Sequence, residues 1–189
     1  MGGRSGQSVS SGGSQTSLGA DISASVANYQ SVNFDAINNE LRYDKPDEYK
    51  KVIQNMDKAS VDKTNDALYR GLSADFTKTI ASKYGVKNTN DIAELKSKLI
   101  GKTINEKAYT STSRDLKVAA DFARDMGKGQ TTLMQINGKK TGIEVVNHVK
   151  NFKARQEKEF IIKRNTKFKI TNVSISKSGK LVLYTEIAP

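Results

Sequence analysis

The spacing of apolar side chains changes about halfway along this 189-residue chain, and this change limits the folds that it can adopt. In the first half, apolar residues recur three and four positions apart, as in Phe34, Ile37 and Leu41, which predicts amphipathic helices. In the second half, short apolar segments separated by Asn-Gly and Ser-Gly turns predict strands. Helices followed by short antiparallel strands indicate an α+β fold, because a βαβ series would alternate throughout.

The same patterns give approximate limits for each element. Predicted helices cover residues 34–41, 46–56, 76–84, 91–100 and 116–124. Asn90 is the expected N-cap of the helix at 91–100, and Gly101 is expected to end it. Predicted strands cover residues 67–70, 109–113, 132–136, 142–146, 159–162, 167–170, 173–176 and 181–185.

The chain begins with a polar segment. Gly and Ser supply twelve of the first twenty residues, so residues 1–20 are predicted to be a flexible tail that cannot offset its ordering entropy by burial. Residues 21–189 are expected to form one domain with a hydrophobic core. The segment also lacks the apolar centre of a secretory signal peptide, so no such signal is predicted.

Composition argues against several kinds of site. Without cysteine there are no disulfides, thiolate ligands or cysteine nucleophiles, and the only histidine, His148, cannot form a multi-histidine zinc centre. No apolar run approaches ~18 residues, so no membrane span is expected. The net charge of +11 favours an anionic partner, either nucleic acid, a phosphate-rich ligand or an acidic protein surface. Nucleic acid is not favoured, because no zinc finger or RRM aromatic signature is present.

Three separated segments carry the candidate chemistry. They are Leu-Tyr-Arg-Gly at 68–71, Tyr-Thr-Ser-Thr-Ser at 109–113 and Gln-Glu-Lys-Glu-Phe at 156–160. In this order and spacing they resemble the arginine, Ser-Thr-Ser and Glu-x-Glu signature of the arginine-specific mono-ADP-ribosyltransferase toxins. That class includes the enzymatic components of clostridial binary toxins and the Rho-modifying exoenzymes. The resemblance extends from about Ser25 to the C-terminus.

The resemblance implies a fold and a reaction. The expected fold has two roughly perpendicular antiparallel β-sheets with flanking helices, and NAD binds in the cleft between the sheets. The expected reaction moves ADP-ribose from the substrate NAD to an arginine side chain of a target protein, releases nicotinamide and uses no metal. We expect a monomer whose target presents an acidic surface.

The resemblance also assigns the catalytic residues. Cleavage of the nicotinamide glycosidic bond builds positive charge on the ribose, which a fixed carboxylate stabilises, and the second motif glutamate, Glu159, takes this role. Ser111 would hold Glu159, and Glu157 would orient or deprotonate the acceptor guanidinium. On an extended backbone Glu157 and Glu159 would face the same side. Family members that modify asparagine usually carry Gln at the first position, and the neighbouring Gln156 leaves a shift of one residue open.

A second group of residues is expected to bind NAD. Arg70 is expected to pair with the diphosphate through several charge-assisted hydrogen bonds, a geometry that lysine cannot reproduce. The resemblance adds an aromatic residue, an asparagine and an arginine of the first helix, the neighbours of the motifs, and an aromatic–arginine pair after the Ser-Thr-Ser strand. These are Tyr29 or Phe34, Asn38, Arg42, Gly71, Ser111, Thr112, Ser113, Phe122, Arg124 and Glu159 itself.

Two points in this assignment stay open at the level of sequence. Phe122 also fits the apolar face of the predicted helix at 116–124, so a core position is the alternative. The segment 147–156 would recognise the acceptor, and it offers an aromatic residue among basic ones: Phe152, Lys150, Lys153 and Arg155.

Other functions would use a similar chain. An NAD glycohydrolase would use water as the acceptor, and a related transferase would modify asparagine or nucleic acid. A basic binding domain or a phage structural module with the same fold would have no activity, and the presence of all three motifs argues against this last reading.

Overall fold

The computed structural model describes residues 12–44, 48–125, 129–150 and 152–189. The helices within these ranges are α1 (Gly12–Asn28), α2 (Phe34–Tyr43), α3 (Lys50–Lys58), α4 (Ala74–Tyr84), α5 (Ile92–Leu99), α6 (Leu116–Asp125) and α7 (Phe152–Glu157). A π-helical turn at Tyr29–Asn33 joins α1 to α2, and Val145–Asn147 form a 3₁₀ turn. None of the described helices is long and apolar enough to cross a membrane.

The strands follow mostly in the second half of the chain. They are β1 (Asp62–Thr64), β2 (Leu68–Leu72), β3 (Thr103–Glu106), β4 (Thr110–Ser113), β5 (Thr132–Asn137), β6 (Lys140–Glu144), β7 (Glu159–Ile162), β8 (Thr166–Ile175) and β9 (Leu181–Ile187). The predicted strands at 167–170 and 173–176 are one strand, β8, with a register shift between Ile170 and Asn172. A local irregularity of this kind bends a strand without ending it, which explains the break in the sequence pattern.

The strands pair in the order β1-β6-β7-β4-β2-β5-β9-β8-β3. Neighbours are antiparallel except for β5 and β9, which run parallel. Strands β2 and β4 share one register pair, Tyr69 opposite Ser113, and the groups β1-β6-β7-β4 and β2-β5-β9-β8-β3 meet there. The α+β fold is confirmed. The two expected sheets are continuous through this single pair, and the parallel pair is an addition to the expected antiparallel arrangement.

The helical layer over β4, β6 and β7 is formed by α1, α2 and α3. Val26, Ile37 and Met56 from these helices form one apolar cluster with Ile143 and Ile161 from the strands. Helix α1 begins at Gly12, inside the segment predicted to be a flexible tail. Helix formation is cooperative, so a docked C-terminal half around Val26 supports the earlier turns of the same helix.

The cap of α5 differs from the prediction by one residue. Asp91 is the N-cap, and its carboxylate accepts hydrogen bonds from the backbone nitrogens of Ala93 and Glu94. Asn90 lies in the preceding turn, where its backbone nitrogen donates to Asn88 Oδ1. An aspartate and an asparagine both favour N-cap positions, so their order in sequence could not separate them.

Helix α6 crosses β2 at Gly71, and the two backbones lie too close for any side chain there. A Cβ atom on Gly71 would lie 2.5 Å from the Ala123 nitrogen and closer still to the Ala119 carbonyl oxygen. Gly71 was predicted from the resemblance as an NAD-binding residue, and the structure gives it a packing role as well. The close approach places α6 beside the strand that carries Arg70.

We expect Gly71→Ala to lower the free energy of unfolding by about 1–3 kcal/mol, because the added methyl overpacks two backbone atoms that cannot rotate away. Gly19→Ala is the matched control: the site lies within α1 with nothing within 4 Å of the added atom. It should leave stability unchanged or raise it by up to about 1 kcal/mol. Urea denaturation of both variants measures the difference, and equal stability of the two would contradict the packing argument.

Candidate active site

A cleft opens where β2, β4 and β7 meet α6 and the π-helical turn. The space between these elements is about 780 Å³ when the open solvent at the mouth is counted. Its lining brings together residues from all three motifs: Gln30, Phe34, Asn38, Tyr69, Arg70, Gly71, Ser111, Thr112, Ser113, Val118, Ala119, Phe122, Glu157 and Glu159.

Arg70 brings positive charge into the cleft wall. Its Nη1 atom donates a hydrogen bond to the Ser111 carbonyl oxygen at 3.1 Å, which joins β2 to β4 through a side chain. Within the described part of the chain, no carboxylate lies within salt-bridge distance of Arg70. Burial lowers the pKa of the Arg70 guanidinium, although Tyr29, Glu106 and Glu159 partly offset this. Arginine stays charged even so, and a desolvated cation of this kind favours an anionic ligand.

Tyr29 lies behind the cleft wall. Its side chain is completely buried, so the structure does not place it where it would contact a ligand in the cleft. Its hydroxyl accepts hydrogen bonds from Asn38 Nδ2 at 2.9 Å and from Ser111 Oγ at 3.1 Å. Burial raises the pKa of Tyr29, so the hydroxyl stays protonated. Of the two predicted aromatic contacts, Phe34 lines the cleft and Tyr29 instead fixes two residues that do.

The Ser-Thr-Ser strand contacts the neighbouring strands and turn through all three hydroxyls. Ser111 Oγ donates its single proton to the Tyr29 hydroxyl. That proton is therefore not directed at Glu159, whereas the resemblance implies a contact between Ser111 and Glu159. Thr112 Oγ1 donates to the Phe160 carbonyl oxygen at 2.5 Å. Ser113 lies opposite Glu159 in the β4–β7 ladder.

Both motif glutamates line the cleft, but the backbone between them is not the extended strand that the sequence predicts. Glu157 ends α7, Lys158 has a left-handed backbone with φ of 44°, and Glu159 begins β7, so the expected extended backbone is wrong. Ser113 Oγ donates to the Glu157 carbonyl oxygen at 2.6 Å, and the Arg114 backbone nitrogen donates to the Lys158 carbonyl oxygen at 3.2 Å. This tight helix-to-strand turn holds both carboxylates at one cleft.

The cleft lining includes buried polar atoms that have no hydrogen-bond partner among the described residues. Gln30 Nε2 and Asn38 Oδ1 are of this kind, and their residues are only 6% and 3% exposed. An unpaired buried donor or acceptor is costly, so each favours a ligand that pairs with it. Gln30 was missed at the level of sequence, because its only distinguishing feature is a place in the π-helical turn, and such turns are frequent at functional sites.

Arg42 is directed away from the cleft lining. Its Nε and Nη2 atoms donate to the two carboxylate oxygens of Glu106 at 3.0 and 2.9 Å. Arg42 follows Asn38 by one helical turn, so the two residues lie on the same side of α2. The pair with Glu106 holds the Arg42 guanidinium at β3. The predicted contact of Arg42 with NAD would therefore use the guanidinium nitrogen that remains outside the pair.

The remaining predicted residues divide between the cleft and the undescribed part of the chain. Phe122 lines the cleft and is 47% exposed, which rules out the core position considered as its alternative. The side chains of Arg124, Phe152 and Lys153 lie outside the described residues. Lys150 and Arg155 are exposed in the segment before β7.

Fold and cleft together define a transferase of the mono-ADP-ribosyltransferase toxin type. The family model for the ADP-ribosyltransferase exoenzyme matches residues 14–187. The chain belongs to this family, whose members use NAD as the substrate for ADP-ribosylation, and the resemblance inferred from the three motifs is confirmed. A search of curated protein sequences finds no match.

Solved structures share the fold at low sequence identity. C3stau2 from S. aureus with NAD is 16% identical, with a TM-score of 0.63 and coverage of 94% of this chain and 92% of that one. Vis from Vibrio splendidus in complex with agmatine is 17% identical, with a TM-score of 0.63 and coverage of 97% and 88%. Exoenzyme S from Pseudomonas aeruginosa, in complex with human 14-3-3 protein beta and carba-NAD, is 20% identical, with a TM-score of 0.59 and coverage of 89% and 74%.

We expect Tyr29→Phe to destabilise the fold by about 1–3 kcal/mol, because Asn38 Nδ2 and Ser111 Oγ lose a buried acceptor that water cannot replace. Tyr84→Phe is the control, since the Tyr84 hydroxyl donates to the Thr103 carbonyl oxygen in a half-buried position that water can reach. Thermal unfolding of the two variants checks this. A smaller loss in Tyr29→Phe than in Tyr84→Phe would contradict the role given to Tyr29.

Proposed function

We propose that this chain transfers ADP-ribose from NAD to an arginine side chain of a target protein and releases nicotinamide, without a metal. The observation that carries the proposal is the meeting of Arg70, Glu157 and Glu159 at one cleft, although they come from strands and turns far apart in sequence. Family membership supports the ADP-ribosyl transfer itself. The acceptor and the individual residue roles are argued below from the cleft.

The cleft offers partners for each chemical part of NAD. Arg70 supplies a desolvated guanidinium for the diphosphate. Gln30 Nε2 and Asn38 Oδ1 supply a donor and an acceptor for hydroxyl or amide groups. Phe34 and Phe122 supply aromatic surfaces on which planar rings can pack. These residues fit a dinucleotide better than a purely apolar ligand, which would leave the polar atoms unpaired.

Glu159 is the proposed catalytic carboxylate. It begins β7 and is 8% exposed, so its position is fixed by the ladder to β4. As the bond between the ribose anomeric carbon and nicotinamide breaks, the bonding electrons leave with nicotinamide and the ribose gains positive charge. A preorganised carboxylate in a partly water-excluded cleft stabilises this charge more than it stabilises the ground state.

Glu157 is the residue that favours an arginine acceptor. It lines the cleft, whereas Gln156 is exposed and is not part of the lining, which favours the alignment in which the motif reads Glu-x-Glu. A carboxylate pairs well with a guanidinium, and it can take the proton that the guanidinium loses when its nitrogen bonds to the anomeric carbon. The related Vis structure was solved with agmatine, a small guanidinium compound, which supports this direction.

A protein with an acidic surface is the proposed partner. Residues 126–189 contain thirteen Lys and Arg but only four Asp and Glu, so most of the net positive charge lies in the last third of the chain, which carries Glu157. Lys150 and Arg155 are exposed in the segment that precedes β7. Complementary charge of this kind steers association more than it sets final affinity. The chain is proposed to act as a monomer.

Glu159→Gln is expected to lower both NAD hydrolysis and transfer to agmatine by about 100-fold or more, because the developing ribose charge loses its counter-charge. Glu157→Gln is expected to lower transfer by about 100-fold, because the acceptor loses its base, while hydrolysis changes little. Nicotinamide release and labelled-agmatine formation are measured in parallel.

Glu48→Gln removes an exposed carboxylate outside the cleft and serves as the control. Equal, wild-type-like activity of both motif variants would overturn the proposal. Nicotinamide release by the wild type without transfer to agmatine or to any protein would favour an NAD glycohydrolase. Salt-sensitive RNA binding without nicotinamide release would favour a binding domain.

Arg70→Lys is expected to weaken NAD binding about 10-fold or more, because a single ammonium replaces a planar guanidinium that pairs with two oxygens at once. Arg164→Lys is the matched control, since Arg164 also forms a two-point pair, with Asp57, outside the cleft. Titration calorimetry with NAD measures both. An unchanged dissociation constant in Arg70→Lys would count against the diphosphate contact.

A further inference from the structure

Arg114 directly follows the Ser-Thr-Ser strand, and the proposed reaction gives it no role. Its guanidinium forms two ion pairs: Nη1 lies 2.7 and 2.6 Å from the two carboxylate oxygens of Glu144, and Nε lies 3.1 Å from Asp66 Oδ2. The side chains of Arg114 and Glu144 are 26% and 17% exposed, whereas that of Asp66 is 66% exposed. The pair with Glu144 is therefore the less screened and the stronger of the two.

The other contacts of Arg114 lie on β7 and on the turn before it. The guanidinium carbon lies 5.3 Å from the centroid of the Phe160 ring, within cation–π distance. The Arg114 backbone nitrogen donates to the Lys158 carbonyl oxygen at 3.2 Å. Arg114 thus contacts the turn between the two motif glutamates through its backbone and the following strand through its side chain.

These contacts lie at both ends of one chain segment. Glu144 is the last residue of β6, and Lys158 directly precedes β7. The segment from 145 to 157 is therefore flanked by two residues that Arg114 contacts, Glu144 through its side chain and Lys158 through its backbone nitrogen. Glu144 and Phe160 are also the last register pair between β6 and β7, so the ladder ends where Arg114 packs. Beyond that pair, the segment depends on side-chain and turn contacts.

The two motif glutamates depend on this arrangement to different degrees. Glu159 belongs to the β4–β7 ladder, opposite Ser113, and is held by strand pairing. Glu157 lies outside the ladder, at the end of α7, where the Ser113 hydroxyl holds its carbonyl oxygen but no strand pairing holds its backbone. Loosening the ends of the segment therefore displaces Glu157 more than Glu159.

We infer that Arg114 is a positioning residue that fixes Glu157 relative to Glu159, and that it thereby sets how much ADP-ribose goes to a guanidinium acceptor and how much to water. The inference rests on the proposed function, because it assigns the acceptor to Glu157. Water needs no partner at Glu157, whereas a guanidinium does. A displaced Glu157 thus lowers transfer and spares hydrolysis.

The test compares the ratio of agmatine transfer to NAD hydrolysis in Arg114→Met and the wild type. We expect this ratio to fall about tenfold, equivalent to about 1.4 kcal/mol, while KM for NAD and kcat for hydrolysis change less than about twofold. Arg114→Lys keeps the charge and should restore part of the ratio. Glu144→Gln should lower the ratio in the same direction, because it weakens the pair from the other side.

Arg164→Met is the matched control. Arg164 forms a two-point pair with Asp57, and its side chain is 35% exposed and that of Asp57 32%. No hydrogen bond or ion pair joins either residue to the described part of the segment before β7. The ratio should stay unchanged in this variant. A parallel fall of hydrolysis and transfer in Arg114→Met, an unchanged ratio, or an equal fall in Arg164→Met would overturn the inference. If Arg114→Met does not fold, Arg114→Lys and Glu144→Gln decide the question by the same ratio.

A second measurement separates this inference from the proposed function. Trypsin cleaves after Lys and Arg, and Lys150 and Arg155 lie exposed in the segment. Under native conditions Arg114→Met should be cleaved there several times faster than the wild type, and Arg164→Met should not. If the wild type transfers nothing to agmatine, the proposed function fails. Whatever that result, an unchanged rate of cleavage in Arg114→Met overturns the positioning role of Arg114.

Discussion

The site depends on strand β4 pairing on both of its sides. One side of β4 meets β2 through the single pair of Tyr69 and Ser113, and the other meets β7 through a four-residue ladder. Backbone hydrogen bonds fix strand separation to about 5 Å, so a residue on β2 and one on β7 cannot drift apart once both are paired to β4. Arg70 and Glu159 are brought to one cleft by this constraint, and the side chains of β4 lie between them.

Polar groups in the cleft lose contact with water when the chain folds, and the described residues do not supply all of the hydrogen bonds that these groups can form. Arg70 is desolvated, and Gln30 and Asn38 each present a buried atom without a partner among the described residues. Several polar groups outside the cleft are satisfied, as where Arg164 pairs with Asp57 or Tyr84 bonds to a backbone oxygen. Thr110 Oγ1, Gln130 Oε1 and His148 Nε2 also lack a partner among the described residues, so the cleft differs in combining such atoms with a buried arginine and two carboxylates. A buried polar atom without a hydrogen-bond partner destabilises the fold. A ligand that pairs with this atom removes the cost, and the free energy gained contributes to binding affinity.

Sequence patterns located the motifs but not their surroundings. Arg70, Ser111 and Glu159 were found because a small set of residue types in a fixed order is specific. Tyr29 was expected in the cleft and lies behind it, because aromatic residues suit both positions and only packing separates them. The alignment of Glu157 and Glu159 was expected from an extended strand, but a left-handed Lys158 produces it. A positive φ at a lysine has no signature in sequence.

The amino-acid sequence by itself determined the α+β class, most helix and strand positions, and the residue types that the chemistry needs, because these follow from local periodicity and from ordered motifs. Only the tertiary structure decided that β2 and β7 flank β4, that Gln30 joins the cleft, and that Arg114 contacts the residues on either side of the segment before β7, Glu144 and Lys158. These features arise from contacts between residues far apart in the chain, and side-chain spacing along a sequence carries no information about which distant segments pair.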